Sequence, residues 1–258
     1  MELSQDRQDF LRQIRKAKAV DKVDAIVALA EGKAVLDAGF LNHTLEGYGK
    51  SPLHEELAKV SKKLIGIDLN YKESTNLPNC FRGDLTYPLW YGSKKSVERE
   101  SFDLIIAADL IEHLDSIRFF LCNCIYLLKV KGKLILTTPT PFYMDNFVYA
   151  WLMSDELVNP DHVCWIDPFN MRELLRRYGF EIKELYWIKS RWNLAAFVAQ
   201  RKGRWYNHRT SDWEGEKARI EKALLPFTMA FWMGLRKVLT LFSPLNRWAG
   251  YMVVCERR

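Results

Sequence analysis

The chain has 258 residues, 48% of them hydrophobic and 27% charged, with a net charge of +6. This is one large domain or a domain with an elaboration, long enough to bury a core without staples; the surplus of base is a mild hint of an anionic partner, with solvated surface Lys and Arg the favoured reading. Five scattered cysteines, whose closest pair is Cys122 and Cys124 at a spacing that keeps them off one helix face, exclude a disulfide framework and fit a reducing cytosol.

The first residues, Met1-Glu2-Leu3-Ser4-Gln5-Asp6, lack the apolar core of a signal peptide. Residues 2–31 read as helical. Phe10, Ile14 and Ala17 share a face, Asp21 can cap a second helix striped with Val23, Ile26, Val27 and Ala30, and Gly32 can end it. These helices are expected to lie against a sheet. A first strand covers 34–36. The segment 39–50, with Gly47 and Gly49, reads as a polar loop. Pro52 opens a helix that turns Leu53, Leu57 and Val60 inward.

A second strand, 64–67, runs into Asp68, and a short third strand lies around Cys80-Phe81-Arg82 before Gly83-Asp84-Leu85. Residues 86–100 read as a charged loop. The fourth strand, 102–108, is nearly all apolar, as a central parallel strand should be. A helix over 116–128, a tight turn at Lys131-Gly132-Lys133 and a fifth strand over 134–137 follow. Asp167 and Pro168 signal a helix that ends at Gly179, then a sixth strand spans 180–188 and a last one 251–255.

Strands and helices alternating at this spacing predict an α/β fold, a doubly wound, mostly parallel sheet. The expected organisation is N-terminal helices over 1–32, a core domain over 33–189 plus 249–258, and a helical insertion over 190–248. Ligands of such sheets bind beyond the carboxyl ends of the strands. Those ends are Asp37 and Gly39, Asp68, Asp84, Ala108 and Asp109, and residues 137–141. A glycine after the first strand lets a ligand approach the backbone. An acid at the tip of the second can accept both ribose hydroxyls of an adenosine.

Val35-Leu36-Asp37-Ala38-Gly39, Ile65-Gly66-Ile67-Asp68 and Gly83-Asp84-Leu85 resemble the first three motifs of class I S-adenosylmethionine-dependent methyltransferases. The run from Phe102 through Ala107-Ala108-Asp109-Leu110-Ile111-Glu112-His113-Leu114 resembles that family's fourth-strand motif. The segment Leu128-Lys129-Val130-Lys131-Gly132-Lys133 and its following Thr137-Thr138-Pro139 resemble the fifth. The match covers roughly 33–188 and the last strand. It implies S-adenosylmethionine as cofactor. Gly39 would approach its methionine part, and Asp37 would fix the loop and reach the amino group through water. Asp68 would take the ribose hydroxyls, Asp84 and the Leu85 backbone the adenine, and the Ala108 carbonyl the ammonium.

The first loop departs from the family pattern. Leu41 and His43 stand where further glycines are usual, and a Cβ disfavours the positive φ such positions adopt. The Phe40-Leu41-Asn42-His43 form resembles a branch linked to methylation of glycans and secondary metabolites, and His43 would contact the cofactor carboxylate in place of the missing amides. An oxygen acceptor needs a base near neutrality, and His162, in the loop before the Asp167 helix, is the chosen candidate. Phe142, Tyr143 and Trp165 would floor the acceptor pocket. No His or carboxylate grouping shows convincing metal-ligand spacing in the sequence, so no metal ligands are assigned, and a metal-assisted variant stays open.

Within the insertion, Leu224, Phe227, Phe231, Leu235, Val238 and Phe242 recur at helical steps. One reading docks this helix on the domain or on a second copy as a lid. The other lays residues 217–245 in a membrane interface on the cytoplasmic side. The leading expectation is a cytoplasmic enzyme that O-methylates a small-molecule or glycan hydroxyl; the alternative is a non-catalytic binding or scaffold protein on the same fold. The modest basic charge and the lack of an added module argue against a nucleic-acid partner. A nicotinamide enzyme would want Gly-x-Gly-x-x-Gly at the first turn, where only Gly39 is present.

Overall fold

The N-terminal helix signals resolve into α1 (Gln5–Lys16) and α2 (Lys22–Ala30), separated by a two-residue strand, β1 (Ala19–Val20). The computed structural model of the protein describes residues 4–44, 47–50, 52–72, 77–88, 98–144, 146–147, 150, 159, 161–189, 234 and 247–258, with backbone alone for 42–44 and 47–50. Asp21 caps α2 by accepting from the amides of Val23 and Asp24, and Gly32 leaves it at φ +69°. The elements that follow are β2 (Ala34–Ala38), β3 (Leu41–Thr44), β4 (Gly47–Lys50), α3 (Pro52–Val60), β5 (Lys63–Asp68), β6 (Cys80–Arg82) and β7 (Phe102–Ala108). A 3-10 turn (Ile111–His113), α4 (Ile117–Leu127), β8 (Leu128–Pro139), α5 (Pro168–Arg177), β9 (Phe180–Ile188) and β10 (Gly250–Arg257) complete them.

The main sheet runs β1-β9-β10-β8-β7-β2-β5-β6. β6, β5, β2, β7 and β8 are mutually parallel, and β10 runs antiparallel between β8 and β9. The order reverses between β2 and β7, because β2 leads to β5 on one side and the chain returns to β7 on the other. Such a switch point opens a crevice at the strands' carboxyl ends. Side chains of a strand alternate between faces. One face, Val35, Leu104, Ile106, Ile135, Met252 and Val254, packs with Ile26, Ala30, Leu53 and Leu57 of α2 and α3. The alternate residues Leu36, Ile105, Leu134, Leu136 and Val253 are buried as well. Both faces are therefore covered, which is why these strands read as continuous apolar runs.

α1 is fastened to the far edge. The Trp187 indole donates to the Ile14 carbonyl at 3.2 Å, and β1 adds a parallel rung to β9 through Ala19 and Trp187. The N-terminal helices are thus packing elements of the sheet. The chain divides into two compact units, Met1–Pro141 with Val158–Lys189 and Ala249–Arg258, and Phe142–Leu157 with Ser190–Trp248. The apolar stripe over 224–242 and the 217–245 segment lie outside the described residues apart from Gly234. No described helix is long and apolar enough to cross a membrane.

Three local expectations are corrected. The polar loop over 39–50 is a β-ribbon, β3 against β4, with Leu41 opposite Lys50 and His43 opposite Tyr48. Leu41 and His43 sit in extended backbone, where a Cβ costs nothing, so the glycines usual in this loop are not required. The fifth strand is far longer than 134–137. The ladder between β7 and β8 jumps from Leu128 to Lys133, and the residues of the expected turn bulge out with Lys131 at φ +62°. β1 was invisible because two residues carry no periodicity.

Gly66, mid-strand in β5, is fixed by its neighbours. A Cβ there would lie 2.8 Å from Phe40 Cδ1 and 3.0 Å from His54 Cε1. Gly66→Ala is expected to cost about 1–3 kcal/mol by overpacking, measured as a lower denaturation midpoint at unchanged slope.

Candidate active site

Parallel strands that start together end together, so β2, β5, β6, β7 and β8 deliver Gly39, Asp68, Asp84, Ala108 and Asp109, and Thr137 to one edge. Gly39 takes φ +72°, and its amide donates to the Ile67 carbonyl at 2.8 Å, tying the exit of β2 to β5. The atom closest to it is apolar: a Cβ on Gly39 would stand 2.8 Å from Leu110 Cδ1. Both the turn and the leucine that covers it demand glycine.

Asp37 does not point to the edge. It is buried, and its Oδ2 lies 2.8 Å from Nδ1 of His54, whose Nε2 is 3.5 Å from Cys80 Sγ. The Asp37 carboxylate thus bonds an imidazole inside the fold, a partner that the sequence reading did not include. Burial pushes His54 down, but the Asp37 carboxylate, with Cys80, more than reverses this and carries it up to about 9. Burial also raises Asp37, and His54 opposes that rise. The imidazole is the member of the pair that holds the proton near neutrality.

Asp68 is half-buried at the tip of β5. Its Oδ1 accepts from the Asn70 amide at 2.8 Å and its Oδ2 from the Leu41 amide at 3.2 Å, so the ribbon entry and the strand tip share one carboxylate. Asp84 Oδ1 accepts from the amide and hydroxyl of Thr86 at 2.8 and 2.5 Å. The Leu85 carbonyl accepts from Asn123 at 2.8 Å, and the Leu85 side chain is buried. For His43 the backbone alone is described, in the ribbon opposite Tyr48.

After Ala108 the chain turns sharply. Asp109 has φ +51°, its amide donates to the Thr137 carbonyl and hydroxyl at 3.1 and 2.9 Å, and the Thr137 hydroxyl donates to Asp109 Oδ1 at 2.6 Å. Lys22, from the start of α2, forms an ion pair with Asp109. These contacts set the direction of the peptide that carries the Ala108 carbonyl.

The 3-10 turn brings a third group. Glu112, His113 and His162 each offer a ligand atom, and all three atoms lie within 4.8 Å of one another. Glu112 is 1% exposed, and neither of its oxygens has a hydrogen-bond partner among the described residues. Burial, and then the charge of Asp109, push it up to about 8. His162 Nε2 sits 4.0 Å from Glu112 Oε1, and its ring meets that of His113 edge-on at 4.6 Å. Burial and the neighbouring His113 lower its pKa. The Val163 amide donates to the Glu112 carbonyl at 2.9 Å, and the Tyr251 hydroxyl to the Ile166 carbonyl at 2.8 Å, which hold this loop onto the sheet. Sequence reasoning placed His162 here but missed its partners, which stand 49 and 50 residues away by number. Trp165, in the same loop, is exposed, while Phe142 and Tyr143 belong to the second compact unit.

The family model described as a methyltransferase domain matches residues 10–185, well over half of the chain. The chain belongs to the class I S-adenosylmethionine-dependent methyltransferases. A Mycolicibacterium smegmatis protein named a probable S-adenosylmethionine-dependent methyltransferase is 28% identical over 158 residues, which are 59% of this chain and 54% of that one. The chain thus spans about half the length of the curated relative it matches. Among solved structures, an Archaeoglobus fulgidus S-adenosylmethionine-dependent methyltransferase superposes with a TM-score of 0.52 at 15% identity, covering 92% of this chain and 95% of that one. A candidate methyltransferase from Bacillus halodurans gives 0.53 at 14%, covering 92% and 96%. At these identities the likeness is one of fold.

S-adenosylmethionine is the cofactor of this methyltransferase family, and the strand-end residues fit it. Asp68 lies half-buried at the tip of β5, the position of the acid in the family's second motif. Gly39 and the fixed peptide after Ala108 present backbone at the switch point. Asp37 acts one layer below, through His54.

The buried pair has a measurable signature. The folded pKa of His54 lies above its unfolded value of 6.5, so its contribution to stability is complete below about pH 6.5 and is lost as pH rises through about 9. Thermal unfolding of the wild type should show a falling melting temperature across that window, and His54→Gln should flatten it. At neutral pH His54→Ala, which strands a buried carboxylate, is expected to cost about 3–5 kcal/mol.

Proposed function

We propose that the protein transfers the methyl group of S-adenosylmethionine to a hydroxyl oxygen of a small-molecule or glycan acceptor, with His162 taking the proton. The observation that carries this reading is the position of His162: partly buried, kept neutral by its surroundings, and set beside a buried carboxylate and a second imidazole at the sheet edge where the cofactor-binding acids end.

S-adenosylmethionine, when bound, supplies a methyl carbon already activated for displacement. The chain's own residues have three tasks. Asp68, Asp84 and the backbone at Gly39 and Ala108 hold the cofactor. The loop around His162, fastened to Glu112 and Tyr251, holds the acceptor hydroxyl. Nε2 of a neutral imidazole receives the hydroxyl proton, and the positive charge that results is favoured by Asp109 and Asp161 nearby. Positioning alone is worth several powers of ten, and a placed base about 10²–10⁴-fold more. Trp165, exposed in the same loop, supplies an aromatic surface of the kind that sugars and planar metabolites stack on.

The test is transfer of radiolabelled methyl from S-adenosylmethionine to a panel of hydroxylated glycans and metabolites. Label should enter acceptors with free hydroxyls and fail to enter their acetylated forms. His162→Ala should lower turnover by about 10²–10⁴-fold while leaving cofactor affinity within about twofold. Unchanged turnover in that variant would remove the base.

A further inference from the structure

Glu112 poses a problem that methyl transfer from S-adenosylmethionine does not solve. A carboxylate that is 1% exposed, with neither oxygen hydrogen-bonded among the described residues, is a costly arrangement unless something is there to meet it. The His162 Nε2 lies 4.0 Å from Glu112 Oε1, too far for a hydrogen bond. A third side chain, His113, completes a group whose ligand atoms fall within 4.8 Å of each other.

We propose that Glu112, His113 and His162 bind a divalent first-row transition metal ion. Two imidazoles and one carboxylate are the donor set of such ions, and they are poorly suited to magnesium or calcium, which prefer oxygen throughout. Metal–ligand bonds of about 2.1 Å place neighbouring ligand atoms about 3.4 Å apart in a tetrahedral shell. The Glu112–His162 pair at 4.0 Å therefore closes by roughly half an ångström when the ion enters. The support around the group is also that of a metal site. His113 Nδ1 lies 3.1 Å from the Asp161 carbonyl, so its N–H donates there and its lone pair resides on Nε2. Glu112 and His162 are joined through the backbone, since the Val163 amide holds the Glu112 carbonyl at 2.9 Å. Three protein ligands leave coordination positions open, as in sites that take substrate rather than sites that staple a fold. Asp109, two residues from the 3-10 turn, adds negative charge nearby.

The role of the ion rests on the proposed oxygen acceptor, although its binding does not. In an open position it takes the acceptor hydroxyl as a ligand and makes that hydroxyl more acidic. In that state His162 holds the metal rather than the proton, and the proton leaves to solvent. Ligand chemistry of this kind selects acceptors with a coordinating oxygen, such as vicinal diols or catechol-like rings.

The deciding experiment is calorimetric titration of the apo protein with manganese and with zinc alone, without cofactor or acceptor, followed by cobalt substitution read by its visible absorption. One equivalent should bind, with affinity weakened by more than about tenfold in Glu112→Gln and in His162→Ala. Both variants should retain the wild-type circular dichroism spectrum and bind S-adenosylhomocysteine as the wild type does, which separates ligand loss from misfolding. Binding that persists in both folded variants, or no binding by the wild type, overturns the site. If chelation leaves transfer intact in a protein that binds no metal, the base role of His162 stands. If metal binds as described but no hydroxyl acceptor is methylated, the site survives and the oxygen-transfer reading fails.

Discussion

The hydrogen bond between Asp37 and His54 governs how the rest of the edge is arranged. It joins the end of β2 to the first turn of α3, and both groups are buried. Because the rings of Phe40 and His54 crowd Gly66, a Cβ there would stand 2.8 and 3.0 Å from them, and the two rings pack at a tilt with centroids 4.8 Å apart. Phe40 buried in this way turns the chain out of Gly39 into an extended ribbon rather than a helical loop. The ribbon entry then delivers the Leu41 amide to Asp68. One buried pair thus sets the turn, the ribbon and the acid at the tip of the second strand.

This arrangement shows how a methyltransferase sheet can dispense with most of its first-loop glycines. Glycines are needed where backbone must take positive φ or approach a ligand closely. Among the described residues of the β2 exit, Gly39 has that geometry, and Leu110 presses against it. The residues beyond are in ordinary β backbone. In the proposed reading, the burden of holding ligand shifts toward side chains: Asp68 and Asp84 on one flank, and the Glu112–His113–His162 group on the other. Charge is concentrated on short turns braced by strands, which limits how far each group can wander.

Much of this was legible in the sequence because the signals were local. The Asp21 and Asp167 caps, Pro52 and Pro168 at helix starts, the apolar runs of β5, β7 and β10, and the acids at the strand tips all depend on neighbours a few residues away. The partnership of Asp37 with His54, the orphaned Glu112 beside His162, and Lys22 against Asp109 were not legible. Each joins residues far apart by number, and nothing in periodicity or spacing encodes which strand end faces which loop. The ribbon over 41–50 failed for a different reason: glycines and polar residues suit a loop as well as a two-stranded ribbon, and pairing between its two arms decides the matter.

The central claim is that these strand ends form a working S-adenosylmethionine site despite the altered first loop. Calorimetric titration with S-adenosylhomocysteine, in wild type and Asp68→Ala, tests it most directly. One-to-one binding that disappears in a folded Asp68→Ala protein is the predicted result. Equal binding by the variant, or none by folded wild type, would contradict the assignment of this edge as the cofactor site.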